Sequence, residues 1–270
     1  MTRSLSIAHL TFLHLTPPEL IKLAGASGFD AVGLRLIAVT DTTPGYALMD
    51  DPNMMRDTLA AMRDTGVTVN DIEFVRLTPN FDAGTFEPFL EAGAKLGARH
   101  IVTAPYDPDH GRLTDNLGAF SDLAAGYNMT PVLEFFPWTS VPNLSSALDI
   151  VKNTGRNRVG VLLDTLHFNR SDSTLQQIAN ADPARFPFVH VCDADVQPSY
   201  TEDDLLHTAR AARLMPGDGD IPLRDILSHL PNDVPIGLEV PLLRDTEKIS
   251  DIEIAREMFE KTTALCRSLI

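Results

Sequence analysis

The sequence predicts a single α/β domain, a (β/α)8 TIM barrel spanning residues 1–270. Three observations carry this. Short β-rich runs alternate with helical patterns from end to end. The length of 270 residues suits an eight-stranded barrel and is enough to bury a large core. No linker, low-complexity segment or charge block marks a second domain. An open doubly wound sheet is the competing architecture. It is disfavoured because neither a Gly-x-Gly-x-x-Gly turn after the first strand nor a phosphate-cradling Gly-Lys-Ser/Thr loop is present.

The expected strands are 6–12, 31–37, 67–77, 100–105, 131–136, 159–164, 188–192 and 235–240. Each is a short apolar or β-branched run. The first expected helix, 18–27, follows Thr16-Pro17, a cap residue and a proline suited to a first turn. Helical patterns follow at 54–64, 86–96, 117–126, 144–152 and 175–179. The last and longest helix, 252–269, repeats Ile254, Met258, Leu265 and Leu269 at near-helical spacing. The Gly-containing segments at 25–34 and 97–102 read as helix ends that turn into strands.

Composition narrows the partners. Lys and Arg number 22 against 37 Asp and Glu, a net charge of −15. That opposes binding to nucleic acid or to anionic membranes, which need concentrated cations. No apolar stretch approaches the roughly 20 residues of a membrane span. Only Cys192 and Cys266 occur, so a disulfide framework is not expected and a reducing cytoplasm is the expected location. A homo-oligomer is compatible with the sequence.

Four residues sit late in apolar runs: Glu134, Asp164, His190 and Glu239. Burying a charge there without a partner costs several kcal/mol. They lie on separate strand-and-helix units, so neighbouring strands would bring them to one mouth. Three carboxylates and an imidazole make a divalent-metal site. The surplus length after the seventh strand falls in residues 193–221, expected to be a long loop over the mouth that serves as a lid. Arg35 lies inside an apolar strand and needs either a substrate anion or an internal ion pair. His9 could face the mouth or be a satisfied core histidine. Trp138 could stack on a substrate ring or pack with the loop, whereas Phe136 reads as packing. Cys192 reads as pocket lining rather than a nucleophile.

The stretch Leu162-Leu163-Asp164-Thr165-Leu166-His167 resembles the Asp-x-x-His signature of the xylose-isomerase-like sugar isomerases and epimerases. Val189-His190-Val191-Cys192-Asp193, then Arg213-Leu214-Met215-Pro216-Gly217-Asp218-Gly219, is similar to their next block. The resemblance covers essentially the whole barrel and is nearest to the inosose isomerase, ketose 3-epimerase and hydroxypyruvate isomerase branches. One departure is Gly33, where many members carry a Glu.

The resemblance implies that Glu134, Asp164, His190 and Glu239 bind one divalent metal. Oxygen-rich ligation favours Mn²⁺, with Mg²⁺, Co²⁺ or Zn²⁺ as alternatives. It implies a small carbohydrate or cyclitol substrate and isomerisation or epimerisation through a metal-bound enediolate, with Glu134 and Glu239 as the acid/base pair. His167 would hydrogen-bond a substrate oxygen as charge develops, and Arg213 would grip substrate from the lid. A lyase or dehydratase acting on a keto-cyclitol, dehydroshikimate or keto-glycoside shares the first half-reaction and is the alternative. An apurinic-site nuclease is opposed by the net charge, and a non-catalytic sugar-binding module is a third reading.

Overall fold

The computed structural model describes residues 3–40, 42–243 and 249–269. Eight parallel strands close into a barrel in sequence order, with β8 returning to pair with β1. The strands are β1 (Leu5–Ile7), β2 (Ala31–Arg35), β3 (Thr68–Leu77), β4 (His100–Pro105), β5 (Thr130–Glu134), β6 (Gly160–Asp164), β7 (Val189–Val191) and β8 (Ile236–Leu238). Helices on the outside include α1 (Pro17–Ser27), α2 (Pro52–Thr65), α3 (Glu87–Lys95), α4 (His110–Ala125) and α5 (Leu144–Asn153). The short α6 (Thr165–Asn169) and α7 (Leu175–Asn180) follow β6. Then come α8 (Glu202–Ala211), α9 (Leu223–Ser228) and α10 (Asp251–Arg267). Among the described residues, no helix is long and apolar enough to cross a membrane.

Local chemistry explains the helix starts. Thr16 and Glu19 form a capping box at α1, with proline in the first turn. Asp51 caps α2, accepting the N–H groups of Asn53 and Met54. Asp109 caps α4 through the Arg112 N–H, so this helix starts seven residues before the apolar pattern at 117–126 suggests. Two apolar cores result. One lies between strands and helices. A smaller one inside the barrel contains Phe74, Val102, Val132, Leu162 and Phe188.

The expected strand at 6–12 stops at Ile7, and His9–Phe12 forms a 3-10 turn. The turn carries the chain over the end of β8. There the Thr11 hydroxyl donates to the Leu238 carbonyl and accepts from the Val240 N–H, both at 2.9 Å. The segment 193–221 is also more ordered than a plain loop. It holds α8 and an antiparallel bridge between Asp193 and Leu214. Asp193 is buried, and its carboxylate accepts the N–H groups of Gly217 and Ile221.

Gly33 has a steric reason to be glycine. A Cβ there would fall 2.6 Å from Oδ1 of Asp71, which projects from the neighbouring strand β3. A larger side chain at position 33 would require the Asp71 carboxylate to move.

Candidate metal and catalytic site

The four carboxylate and imidazole residues converge at the C-terminal ends of β5 to β8. Glu134 ends β5 and Asp164 ends β6, His190 lies in β7, and Glu239 follows β8 directly. Asp164 and His190 are direct partners across β6 and β7, and His190 is opposite Gly237. Gly237 makes room for the imidazole, since a Cβ there would come within 2.9 Å of its Cδ2. One ligand atom from each of Glu134, Asp164, His190 and Glu239 lies within 4.8 Å of every other, and all four residues are buried.

Arg213 threads into this cluster from the segment after β7. Its guanidinium meets Asp164 Oδ2 at 2.6 Å and Glu239 Oε2 at 2.7 Å. Its Nε–H donates to the Ala209 carbonyl at 3.0 Å, which fixes the fork in place. Asp164 also caps α6, accepting the Leu166 N–H at 2.7 Å and the His167 N–H at 3.3 Å. Burial opposes its charge, but Arg213 and the two histidines outweigh burial and hold its carboxyl down at about 2. Glu134 has no such support. Burial and the charges of Glu239 and Asp164 push it well above the usual carboxylate range. Burial likewise lowers His167 to about 4, so its imidazole is neutral near pH 7.

The donor set fits a divalent cation. Three carboxylates crowd together in a buried volume against a single guanidinium. Glu134 Oε1 and both ring nitrogens of His190 are buried without a hydrogen-bond partner. The nearest polar contacts, His167 Nε2 to Glu134 Oε1 at 3.7 Å and His190 Nδ1 to Glu239 Oε2 at 3.8 Å, are too long to satisfy them. Orphaned polar atoms of this kind need an explanation, and a cation bound among them supplies one.

A cavity of about 410 Å³ opens onto this cluster and is lined by Glu134, His167, Arg213 and Glu239 among others. Arg35 and Trp138 also line it. Of the two readings open for Arg35, the ion pair is present: its Nε and Nη2 both reach Glu73 Oε1 at 3.0 Å. Trp138 stacks on Phe136, with ring centroids 5.1 Å apart, and its indole N–H is unpartnered. Phe136 lines the same cavity, so it is more than loop packing.

His9 as a substrate contact is corrected. Its Nδ1 accepts the Arg35 N–H at 2.9 Å, and its Nε2 meets the Leu15 carbonyl at 3.0 Å. The ring also stacks on Tyr46. Both nitrogens are spent on the fold, so His9 is a satisfied core histidine. Cys192 is fully buried against Arg213, at 3.4 Å, and burial pushes its thiol up to about 12. That excludes it as a nucleophile near neutral pH.

Sequence reasoning missed Glu73 and Asp71. Both are buried on β3, and burial raises both carboxyls, Glu73 to about 7 despite Arg35. The signal was available, since Asn70-Asp71-Ile72-Glu73 places two acids inside an apolar run. Phe74 and Tyr106 were also missed as cavity lining.

A closed parallel barrel with a carboxylate-rich pocket at its C-terminal mouth defines a class of (β/α)8 proteins whose chemistry sits on the strand ends. The chain belongs to the xylose isomerase-like TIM barrel family, whose model matches residues 21–262. It is 27% identical over 191 residues to an inosose isomerase of Bacillus velezensis and 26% identical to that of Bacillus subtilis. Each match covers 66% of this chain. It spans 61% of the first relative and 62% of the second, under two thirds of their length. Among solved structures, it resembles the IolI protein with a bound zinc atom, with a TM-score of 0.81 and 22% identity over 99% of both chains. D-psicose 3-epimerase, solved in the presence of D-fructose, matches with a TM-score of 0.74 and 16% identity over 97% of this chain and 99% of that one. At these identities the structural likenesses establish the fold.

Proposed function

We propose that this chain is a divalent-metal-dependent isomerase or epimerase of a small keto-polyol, ketose or inosose. The observation that carries the reading is the buried cluster of Glu134, Asp164, His190 and Glu239, with unpartnered ligand atoms and three carboxylates against a single guanidinium. These four residues would hold one ion, with Mn²⁺ favoured for its oxygen-rich donors. When bound, the ion would polarise a carbonyl and an adjacent hydroxyl, which makes the C–H bond between them acidic.

Glu134 and Glu239 would then serve as the acid/base pair. Burial and the carboxylates of Glu239 and Asp164 raise the proton affinity of Glu134, which suits a group that must take up and return a proton. Glu239 lies against Arg213, whose guanidinium meets its Oε2 at 2.7 Å and orients the carboxylate. His167, neutral and beside Glu134, can donate a hydrogen bond to the oxygen on which enediolate charge builds. Arg213 keeps Asp164 and Glu239 oriented. Return of the proton to the neighbouring carbon gives isomerisation; return to the opposite face of the same carbon gives epimerisation.

The test is solvent deuterium incorporation across ketoses, inososes and dehydroshikimate, with chelated and metal-reloaded protein. Exchange at the carbon beside the carbonyl, only in reloaded protein, is the expected result. Formation of a conjugated, ultraviolet-absorbing product would instead assign the site to a lyase. No exchange with any compound would overturn the reading.

A further inference from the structure

The face of the barrel opposite the cluster holds a second cavity, of about 500 Å³. It lies at the N-terminal ends of the strands, where Leu5 opens β1, Asp30 precedes β2 and Asn232 lies shortly before β8. Helix α10 closes its outer side with Phe259, Thr263, Cys266 and Arg267, which share one face of the helix. In barrels of this kind that end carries stability rather than chemistry, so an unpaired charge buried there needs a reason.

Arg3 lines this cavity and is only 8% exposed. Its Nε–H donates to the Asn232 carbonyl at 3.2 Å. Its Nη2 donates to the carbonyls of Leu227 and Pro231 at 3.0 and 3.2 Å. All three acceptors lie at the end of α9 or in the connection to β8, so they hold one edge of the guanidinium plane. Nη1, at the opposite corner, is buried without a partner. Neutral carbonyls satisfy hydrogen bonds but do not cancel the charge, and among the described residues no carboxylate bonds to Arg3. Burial pulls the guanidinium below its ordinary value, with Cys266 and Asp233 opposing from a distance. An anion would supply what both the free nitrogen and the charge lack.

The rest of the lining sets the charge of that anion. Arg3 and Arg267 stand against Asp30 alone, a surplus of one positive charge in a chain whose net charge is −15. Asp30 is fixed in place, since its Oδ2 accepts the Leu5 N–H at 2.9 Å. This surplus matches a monoanion, whereas a phosphate dianion would be repelled by Asp30. Leu5, Phe259 and Leu269 place carbon surface beside the two cations, and the volume is that of a small-molecule site.

We infer that this cavity binds a monocarboxylate with an apolar body, its carboxylate on Arg3 and Arg267 and its hydrocarbon against Phe259, Leu5 and Leu269. The site is separate from the strand-end cluster and does not depend on the reaction proposed there.

Cys266 reports on the site, because it lines the cavity, while Cys192 is fully buried with its thiol pushed up to about 12. Alkylation of Cys266 by N-ethylmaleimide, located by peptide mapping, would be measured with hexanoate, acetate, hexan-1-ol and inorganic phosphate at fixed ionic strength. Calorimetry supplies the dissociation constants. Saturating hexanoate is expected to slow the labelling by roughly fivefold or more. It should bind at least roughly tenfold more tightly than acetate, which lacks the methylene groups, and than hexan-1-ol, which lacks the charge. Arg3→Gln should remove binding, and Arg267→Gln should weaken it severalfold. Arg267 is exposed, so its variant decides the point if Arg3→Gln does not fold. Labelling unaffected by hexanoate, equal binding of hexan-1-ol, tighter binding of phosphate, or an unchanged dissociation constant in Arg267→Gln would each overturn the inference.

Discussion

Arg213→Ala tests the electrostatics of the site most severely. The guanidinium is 2% exposed and bridges two carboxylates that are 0% and 7% exposed. Removing it leaves Asp164 and Glu239 buried beside Glu134 with no protein cation against them. Breaking a buried pair in this way costs about 3–5 kcal/mol. At about 2–4 °C per kcal/mol for a chain of this size class, metal-free Arg213→Ala should unfold roughly 6–20 °C below wild type. The pH dependence gives a second readout. With its folded value at about 2 against an ordinary 3.8, Asp164 contributes about 2 kcal/mol that is fully present above pH ~4 and lost as pH falls towards 2. The variant should lose most of that acid-range slope. Saturating divalent ion should restore more stability to the variant than to wild type, because the ion supplies the missing positive charge. Thermal unfolding of chelated and reloaded proteins at several pH values measures all three. A chelated variant within about 2 °C of wild type would refute the counter-charge role.

Other expectations follow from the same geometry. Glu239→Gln keeps an oxygen donor but cannot accept a proton, so C–H exchange should fall at least ~10²-fold while metal stays bound; near-normal exchange would move the base to Glu134. His167→Ala should lower kcat by roughly 10²–10³-fold with metal content unchanged, and an unaltered kcat would exclude it from charge stabilisation. Burial and neighbouring acids raise Glu73 to about 7, so chelated wild type should lose about 3 kcal/mol as pH rises from ~4.5 through ~7. Glu73→Gln should lose about 3 kcal/mol less than wild type across that window, the remaining slope coming from Asp71 and Glu134, and identical pH profiles for the two proteins would show that Glu73 is ionised throughout.

Much of the architecture was legible because it rests on local signals. Alternating β-rich and helical runs located all eight strands, and a charged residue late in an apolar run marked Glu134, Asp164, His190 and Glu239. What escaped depends on pairing between distant strands. Arg35 and Glu73 are register partners across β2 and β3, but they lie 38 residues apart, and only the barrel register makes them neighbours. Gly33 is similar, because Asp71 opposite it fills the space. The turn at His9–Phe12 was read as strand because a short apolar run looks alike in either form. Helix α8 did leave a local trace. Thr201-Glu202-Asp203-Asp204 is a capping box, with Thr201 and Asp204 bonded reciprocally, but charge-rich composition masked it as a loop.

The central claim is that Glu134, Asp164, His190 and Glu239 hold one divalent ion at the barrel mouth. Elemental analysis of purified wild type, Asp164→Asn and His190→Ala after dialysis against trace divalent metal tests it directly. Wild type should carry about one ion per chain and both variants far less, because each loses a donor from a set of four. Full metal occupancy in both variants would contradict the assignment.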